Sequence, residues 1–577
     1  MHTGKTFDYV SYPDRNCNIM IPQKPAETIS PIPAKNSRLL TIVLPSLFLA
    51  GFIAYSWWNN SGKNSLSFEP RAFGFQAQKE KAKAEDKESP KVPELDGGIA
   101  WLNTAKPIQM KDLRGKIVVL DFWTLCCINC IHTLPDLAKL EKKYANELVV
   151  IGVHSAKFDN EKDTESIRKA ISRYEIKHPV VNDANMKIWR TYGVNSWPSL
   201  YLIDPEGNFV ARGSGEGLHD ALDAEIAKLV KIHREKKTLN EKPIDFGQSF
   251  EKPVSPLYFP GKVISDAKSK RIFISDSTNH RVVVTDLDGQ TIASMGQGGK
   301  PGFIDGSFDE VQFDDPQGLA LDGDNLLIAD RKNHSIRSAD LKKKTVTTVA
   351  GTGKQGHDRG QGGDPLKVSL NSPWDIYLQG DQLFIAMAGH HQIWVMDTKK
   401  KNLAPFAGNG RETLRDGPPA NSCFAQPSGL TTDGKMLYVA DSEVSAVRAV
   451  PLDGKSDVKT VVGLALFDFG DIDGTGDQVR IQHALGVAHH DGIIYVADTY
   501  NSKIKTLNPI TRECKTWLGG SKTAFQGGPM FQEPAGLNIS DGKIYVADTN
   551  AHRIQVIDIK SKEVKTLDIK GLKPIPR

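Results

Sequence analysis

The ten residues DFWTLCCINC, at positions 121 to 130, place three cysteines within five positions directly after an apolar run. The run KIVVLDFW, at 116 to 123, is typical of a short buried strand, and LPDLAKLEKKYAN after the cysteines has the periodicity of an amphipathic helix. The CxxC pair therefore lies where a strand ends and a helix begins. Because a helix N-terminus stabilises a thiolate, we predict that Cys127 is an exposed, acidic nucleophile. Cys130 would point inward and resolve the mixed disulfide that Cys127 forms with a substrate.

Strand and helix signals alternate over residues 95 to 235, which predicts an α/β domain with a central sheet. A lone CxxC is also half of a zinc site, but no second CxxC and no paired histidine spacing follows it. The sequence therefore predicts no metal at these cysteines. Six cysteines in 577 residues are too few for a disulfide scaffold, so the CxxC pair is interpreted as a redox couple.

Several residues around the CxxC pair resemble the thioredoxin superfamily. Trp123 matches the tryptophan after the central strand, and Pro135 matches the proline that kinks the following helix. Trp197-Pro198 matches the loop whose cis-proline faces the disulfide, and Asp121 matches the buried aspartate that helps to deprotonate the inner cysteine. The resemblance implies that Trp123, Trp197 and Pro198 contact the substrate. Asp121 would be the proton acceptor if it is buried, because burial raises the pKa of a carboxyl group; the alternative is a surface carboxylate.

Three positions near the pair depart from the thioredoxin pattern or have no assigned role. Cys126 stands where the superfamily usually has tryptophan. It is interpreted as a passive small apolar residue, as a modulator that tunes or protects Cys127, or as a partner in a strained vicinal disulfide. Thr133 stands where cytochrome-maturation thioredoxins carry glutamate. His132 is predicted to be a partly exposed helix residue, and the alternative is that it influences the acidity of the thiols.

The second half of the chain, residues 255 to 571, is periodic. Six segments, IFISD, LLIAD, LFIAM, LYVAD, IYVAD and IYVAD, end at 276, 330, 387, 441, 498 and 548, with spacings of 54, 57, 54, 57 and 50 residues. A P-x-G-L-like strand precedes most of them, and a polar turn and further strands follow. Four strands in each of six units predict a six-bladed β-propeller.

These units resemble NHL repeats in the YVAD strand and in the N-H-R-I turn. The long Gly-rich loops between blades are expected on the same face as these turns, which would be the natural binding surface. DIDGTGD, at 471 to 477, hints at calcium, but Thr475 and Gln482 stand where an EF-hand needs acidic ligands. Four histidines recur at repeat positions and are interpreted as motif residues and not as metal ligands: His280, His334, His391 and His552.

The N-terminal part predicts a membrane anchor. Residues 39 to 58 contain no charged side chain, and about 20 apolar residues suffice to cross a bilayer. Residues 1 to 38 are predicted to be a disordered cytoplasmic tail and residues 59 to 94 a charged linker. The bulk of the protein would then be extracytoplasmic, and periplasmic in a bacterium. The alternatives are a cleaved signal peptide or a buried helix.

The sequence as a whole predicts a multidomain, membrane-anchored thiol–disulfide oxidoreductase whose propeller binds or orients a protein substrate. A thioredoxin-like domain with CCINC joined to an NHL propeller resembles the family of NHL repeat-containing protein two and its bacterial relatives. The expected partners are a protein thiol or disulfide and a redox partner protein. No cofactor is expected beyond a reversible Cys127–Cys130 disulfide, and a net charge of +4 gives no reason to expect nucleic acid. The alternative is a non-enzymatic interaction scaffold; a lyase or hydrolase lacks a suitable constellation of residues.

Overall fold

A computed structural model describes residues 76–77, 91–247, 255–296, 298–520, 524–525, 528–572 and 575. The predicted tail (1–38), the predicted span (39–58) and most of the predicted linker (59–94) lie outside these described residues. Within the described part, no helix is both long enough and apolar enough to cross a membrane.

The first domain is built on one seven-stranded sheet. Its strands are β1 (Gln76–Ala77), β2 (Ala100–Leu102), β3 (Ile117–Trp123), β4 (Leu148–His154), β5 (Val180–Asn182), β6 (Ser199–Ile203) and β7 (Phe209–Ser214). Its helices are α1 (Ile128–Lys143), α2 (Thr164–Arg173), α3 (Lys187–Thr191) and α4 (His219–Glu235), with short 3₁₀ helices at Met110–Leu113 and Asn160–Lys162. The strand order is β1-β7-β6-β3-β4-β5-β2, with β3 parallel to β4 and antiparallel to β6. The predicted α/β fold is confirmed.

The central strand β3 positions the chemistry of this domain. All seven of its residues are buried, and side chains alternate between the two faces of a strand. Val118 and Phe122 pack into one core, whereas Val119 packs into the core that α1 and α4 cover. Asp121, two residues after Val119, therefore lies on the side of α1, the helix that carries Cys130.

The second domain is a six-bladed propeller, as predicted from the repeats. Blades one to three comprise β8 (Lys262–Asp266), β9 (Arg271–Asp276), β10 (Arg281–Asp286) and β11 (Thr291–Met295); β12 (Gly306–Ser307), β13 (Pro316–Asp322), β14 (Asn325–Asp330), β15 (Ser335–Asp340) and β16 (Thr345–Ala350); and β17 (Pro373–Gln379), β18 (Gln382–Met387), β19 (Gln392–Asp397) and β20 (Asn402–Ala407).

Blades four to six comprise β21 (Pro427–Thr432), β22 (Met436–Asp441), β23 (Ala446–Pro451) and β24 (Lys459–Val462); β25 (Gly474–Thr475), β26 (Gly486–His490), β27 (Ile493–Asp498), β28 (Lys503–Leu507) and β29 (Glu513–Gly519); and, after the hairpin β30 (Ala524–Phe525) and β31 (Gly528–Pro529), β32 (Pro534–Ser540), β33 (Lys543–Asp548), β34 (Arg553–Asp558) and β35 (Val564–Thr566). The first main strand of each blade contacts those of its neighbours, and β32 meets β8 to close the ring.

The repeated histidines join neighbouring blades. Each has a left-handed φ. Its Nδ1 lies 3.0–3.2 Å from the backbone nitrogen of a residue that stands directly before the first main strand of the next blade or, for His552, three positions before it. These four histidines are His280, His334, His391 and His552. Blade four has Ser445 instead, and its Oγ accepts the N–H of His483 at 3.2 Å. Because of these contacts, the turns that carry the histidines and the residues before the first main strands lie on one face of the propeller. We call this face the docking face.

Candidate redox site at the interface of the two domains

The CxxC turn has the backbone arrangement that the sequence predicts. Strand β3 ends at Trp123, Cys127 is the N-cap of α1, and Cys130 lies in the first turn of that helix. Cys126, Cys127 and Cys130 are all free thiols, so no vicinal disulfide is formed in this structure. Cys127 is only 8% exposed, whereas the sequence predicted an exposed nucleophile. The reason is tertiary: the docking face of the propeller covers the turn.

Asp121 lies fully buried beneath this turn. Both of its carboxylate oxygens lack a hydrogen-bond partner among the described residues. Burial raises the pKa of Asp121 to about 7, and the nearby His178 opposes that rise only in part. Burial also raises the pKa of the Cys130 thiol, and a hydrogen bond with Cys127 raises it further. A carboxyl group that titrates near neutral pH is suited to exchange a proton with such a thiol.

The raised pKa of Asp121 determines the direction in which the free energy of unfolding should change with pH. Because the folded state retains a proton that the unfolded state has lost, stability should fall as the pH rises from about 4 to about 7. Asp121→Asn cannot ionise, so it should be more stable than the wild type at pH 8, by on the order of 4 kcal/mol, and similar at pH 4. Thermal midpoints at both pH values measure this difference. Asp136→Asn, at a partly exposed position of α1, is the control. Equal thermal midpoints of Asp121→Asn and the wild type at pH 8 would contradict the conclusion that Asp121 is buried and ionises near pH 7.

The other residues that the resemblance placed at the site occupy different environments. Trp123 is fully buried and stacks edge-to-face on His154 at 4.9 Å, so here it contacts the core and no surface open to a substrate. The Trp197–Pro198 peptide bond is cis, and Trp197 donates from Nε1 to the carbonyl oxygen of Ser155 at 3.0 Å. Trp197 is half-buried and Pro198 is buried.

A carboxylate that the sequence analysis did not identify holds the CxxC turn. Glu161, in the 3₁₀ helix after β4, is fully buried. It accepts hydrogen bonds from the Thr124 hydroxyl and from the backbone N–H of Cys126, the latter at 3.1 Å. It also accepts from the N–H groups of Lys157 and Phe158 at 2.9 and 3.2 Å. Glu161 thus ties the turn that carries the cysteines to the segment that follows β4.

The docking face presents one equivalent residue from each blade to the first domain. These ring residues precede the first main strand of their blades and all have a left-handed φ of 48° to 63°. They are Phe259, Asp315, Ser372, Gln426, His483 and Glu533. A left-handed non-glycine residue carries a backbone cost of order 1 kcal/mol or more and is typical of functional sites. All six are buried, and five contact the first domain directly.

Gln426 forms hydrogen bonds with the backbone of the CxxC turn. Its Oε1 accepts the backbone N–H of Ile128 at 2.8 Å, and its Nε2 donates to the carbonyl oxygen of Cys126 at 2.9 Å. The first bond satisfies one of the N–H groups that are free at a helix N-terminus. A propeller side chain therefore covers the backbone of the CxxC turn.

Apolar and charged contacts surround this hydrogen-bonded centre. Ile128 and Ile131 of α1 pack into one buried cluster with four propeller residues, which are Trp374, Ala388, Leu485 and Ala535. Lys157 of the first domain forms an ion pair with Glu443 of blade four, with side chains only 5% and 2% exposed. Arg173 at the end of α2 lies 3.6 Å from Glu533. Such buried contacts indicate a specific interface.

His132 belongs to this interface, and the residue as a whole is half-buried, which agrees with the prediction of a partly exposed helix residue. Its side chain is 7% exposed and lies 2.5 Å from the carboxylate of Glu216. On the propeller side, its Nε2 lies 2.7 Å from the Ser372 hydroxyl, and its Nδ1 lies 2.9 Å from Nε2 of Gln355. Gln355 lies in a Gly-rich loop between blades. The face predicted to be an open binding surface is therefore occupied by this chain's own first domain.

Two clusters among the described residues could hold a metal ion: Cys126 with Glu443 and His483, and Asp204 with Glu206 and His233. The calcium hypothesis for residues 471 to 477 does not fit the structure. Asp471 and Asp473 each place an oxygen 3.0 Å from the ammonium group of Lys505, and Asp471 also pairs with Lys503, so both carboxylates already have cationic partners.

The fold and the site define a thioredoxin-like domain whose CxxC turn is docked on an NHL-repeat propeller. Residues 115–209 match the family described as Thioredoxin-like, and residues 313–337 and 531–557 match the NHL repeat. Over 490 residues the chain is 43% identical to NHL repeat-containing protein 2 of Homo sapiens. The matched region covers 78% of this chain and 67% of that protein. The chain belongs to the family of NHL repeat-containing protein 2.

Two further relatives extend the comparison. The chain is 44% identical over 472 residues to Protein SUPPRESSOR OF QUENCHING 1, chloroplastic, of Arabidopsis thaliana, with 78% of this chain matched but only 45% of that protein. It is 31% identical over 197 residues to Thiol-disulfide oxidoreductase ResA of Bacillus anthracis, with 34% of this chain and 98% of ResA matched. The similarity to ResA is therefore confined to about a third of the chain.

Proposed function

We propose that this protein is a thiol–disulfide oxidoreductase that uses Cys127 and Cys130. The observation that carries the proposal is the position of Cys127 as the N-cap of α1, one helical turn from Cys130 and above the buried Asp121. The partial positive charge of a helix N-terminus favours a thiolate at such a cysteine. The similarity to ResA, whose name describes a thiol–disulfide oxidoreductase, supports the proposal.

In the reductive direction, the Cys127 thiolate attacks a disulfide of a protein substrate. The substrate S–S bond breaks, one substrate sulfur leaves as a thiol after taking up a proton, and a mixed disulfide forms at Cys127. Asp121 then accepts the proton of Cys130, and the Cys130 thiolate attacks Cys127 and releases the second substrate thiol. The substrate has gained two electrons and the enzyme holds a Cys127–Cys130 disulfide. A dithiol redox partner protein returns the enzyme to its reduced form, and the reverse sequence oxidises a dithiol substrate.

The propeller would control access to this chemistry. A bulky protein disulfide cannot approach Cys127, because this residue is only 8% exposed and Gln426 bonds to the backbone of the turn beside it. We therefore propose that the first domain separates from the docking face, at least near the CxxC turn, before a protein substrate reacts. The exposed docking face would then be available to bind or orient that substrate.

A redox titration of the full chain tests the proposal. Protein equilibrated in thiol–disulfide buffers of graded potential should lose two thiols in one cooperative step, and peptide mapping should place the new disulfide between Cys127 and Cys130. Cys127→Ser and Cys130→Ser should each abolish the step. Cys423→Ser, which removes a buried propeller cysteine, is the matched control and should retain it. A protein whose two thiols do not form a disulfide at any potential would refute the proposal.

The burial of Cys127 favours a second candidate, a non-enzymatic scaffold in which the first domain is a fixed part of the interface. In that case Cys127→Ser and Cys130→Ser would leave the biological function intact, and substitutions in the propeller loops would abolish it. Complementation of a deletion strain with the double variant separates the two candidates.

We further propose that residues 39 to 58 anchor the chain in a membrane with the two domains outside the cytoplasm. The proposal is supported by the absence of charge in this segment and by Lys35 and Arg38 just before it, because positive charge favours the cytoplasmic side. Protease added to intact cells or spheroplasts should digest the propeller and spare the N-terminal tail. A fully protected propeller would contradict this orientation.

A further inference from the structure

One residue of the CxxC turn has an unusual set of neighbours across the domain interface. Cys126, Glu443 and His483 each offer one ligand atom, and these three atoms all lie within 4.8 Å of one another. Cys126 belongs to the first domain, Glu443 to the turn after β22 and His483 to the ring residues. Their exposed fractions are 2%, 1% and 2%. The cluster is therefore enclosed by both domains.

Two polar atoms of this cluster have no hydrogen-bond partner. Oε1 of Glu443 and Nδ1 of His483 are buried without a partner among the described residues, whereas Oε2 of Glu443 pairs with Lys157. A buried polar atom left unsatisfied costs about 1–3 kcal/mol. Two such atoms beside a buried thiol indicate that a further group belongs here, because a bound cation would satisfy all three.

The donor set identifies the chemical class of that cation. Thiolate sulfur, imidazole nitrogen and carboxylate oxygen are the ligands of Zn²⁺ in proteins, whereas Ca²⁺ and Mg²⁺ take oxygen ligands. A thiolate at Cys126 and the Glu443 carboxylate would offset the two charges of Zn²⁺. Lys157, which pairs with Glu443, adds one positive charge to the cluster. An ionised Glu161, which accepts the N–H of Cys126, would balance that charge. The enclosed cluster would thus be close to neutral.

The geometry requires only a small adjustment. Bonds of about 2.0–2.3 Å from Zn²⁺ to its ligands place neighbouring ligand atoms about 3.5 Å apart in a tetrahedron. The three atoms, within 4.8 Å of one another, would therefore need to contract by about 1 Å. Three protein ligands leave the fourth position for a water molecule.

We propose that Cys126, Glu443 and His483 bind one Zn²⁺ ion that bridges the two domains and holds the propeller over the CxxC turn. This assigns a function to Cys126, which stands where the thioredoxin superfamily usually has tryptophan. The proposal does not depend on the redox activity of Cys127 and Cys130.

The second cluster offers no comparable signal. Nδ1 of His233 lies 2.8 Å from the Thr238 hydroxyl, and Asp204 accepts the N–H groups of Glu206 and Asn208 at 2.9 and 2.8 Å. Because its polar atoms already have partners within the protein, no ion is needed there.

The test uses the full chain with Cys127→Ser and Cys130→Ser, so that the CxxC pair cannot itself bind metal. After dialysis against Zn²⁺ and then metal-free buffer, elemental analysis should find about one zinc per chain. Adding Cys126→Ser or His483→Gln should each abolish binding. Adding Cys423→Ser should not, since that buried cysteine lies elsewhere in the propeller.

Cobalt gives a readout that does not depend on activity or on bulk metal content. Co²⁺ bound to the same protein should show a sulfur-to-cobalt charge-transfer absorption that Cys126→Ser removes, while gel filtration confirms that the variant remains folded. Absence of zinc and of this absorption in the CxxC-free protein overturns the proposal. Zinc that persists in the Cys126→Ser or His483→Gln background also overturns it.

Discussion

Cys127→Ser is expected to lower the rate at which the full-length protein reduces a model disulfide by more than about 1,000-fold, because a serine hydroxyl does not replace a thiolate nucleophile. Cys127 is the N-cap of α1, and as a residue it is 8% exposed, whereas Cys130 is 0% exposed. The initial rate with a small peptide disulfide, in the presence of a dithiol reductant, measures this effect. A small substrate is preferred because it can enter without full separation of the domains.

Two variants complete that experiment. Cys130→Ser should accumulate a mixed disulfide between Cys127 and the peptide, which mass spectrometry detects, because the resolving thiol is missing. Cys514→Ser is the matched control: it removes another fully buried cysteine, in blade five, and should leave the rate unchanged. A Cys127→Ser protein that reduces the disulfide at the wild-type rate would contradict the proposed nucleophile.

Lys157→Met is expected to increase the rate at which a bulky maleimide labels Cys127 by about 100-fold. The substitution removes the cation of the buried pair with Glu443 and leaves a carboxylate uncompensated between the domains. Breaking one side of a buried ion pair costs about 3–5 kcal/mol, and each 1.4 kcal/mol is a factor of ten in an equilibrium. Separation of the two domains relieves this cost by hydrating Glu443, so the open state becomes more populated.

The labelling is followed by peptide mapping of Cys127 in reduced protein, with a chelator present so that bound metal does not hold the interface. Lys342→Met is the control, because Lys342 forms an exposed pair with Asp324 away from the docking face, and surface pairs contribute about 0–1 kcal/mol. Equal labelling of Lys157→Met, Lys342→Met and wild type would show that the Lys157–Glu443 pair does not hold the propeller over Cys127.

The elements that sequence reasoning found are those whose signal is local or periodic. The apolar run before CCINC predicted β3, and the helical pattern after it predicted α1. The six recurring segments correspond to the second main strand of each blade. Burial of Asp121 was a sequence-based expectation because the residue lies in this apolar run and matches a buried aspartate of the thioredoxin superfamily. The side of β3 on which it lies follows from alternation along a strand.

The ring residues escaped the sequence analysis although they share a position. They precede the first main strand of each blade, five of the six stand directly before a proline, and they carry five polar or charged side chains and one phenylalanine. A repeat motif is recognised by residues that recur, and the residue type at these positions differs from blade to blade; five of the six contact different parts of the first domain. An alignment of the six repeats with one another shows one position at which the residue type changes from blade to blade. That variation was the signal that could have revealed the ring residues.

The sequence by itself determined the two folds and the position of the CxxC pair at the start of a helix. Strand alternation, helical periodicity and a repeat of about 55 residues act over short stretches of chain. Only the tertiary structure decided that Cys127 is covered, that Gln426 caps α1 and that Cys126 meets Glu443 and His483. The bond between Gln426 and Ile128 joins residues 298 positions apart. No periodicity in a sequence encodes a contact between two separately folded domains, since the docking depends on the shape and charge of complete surfaces.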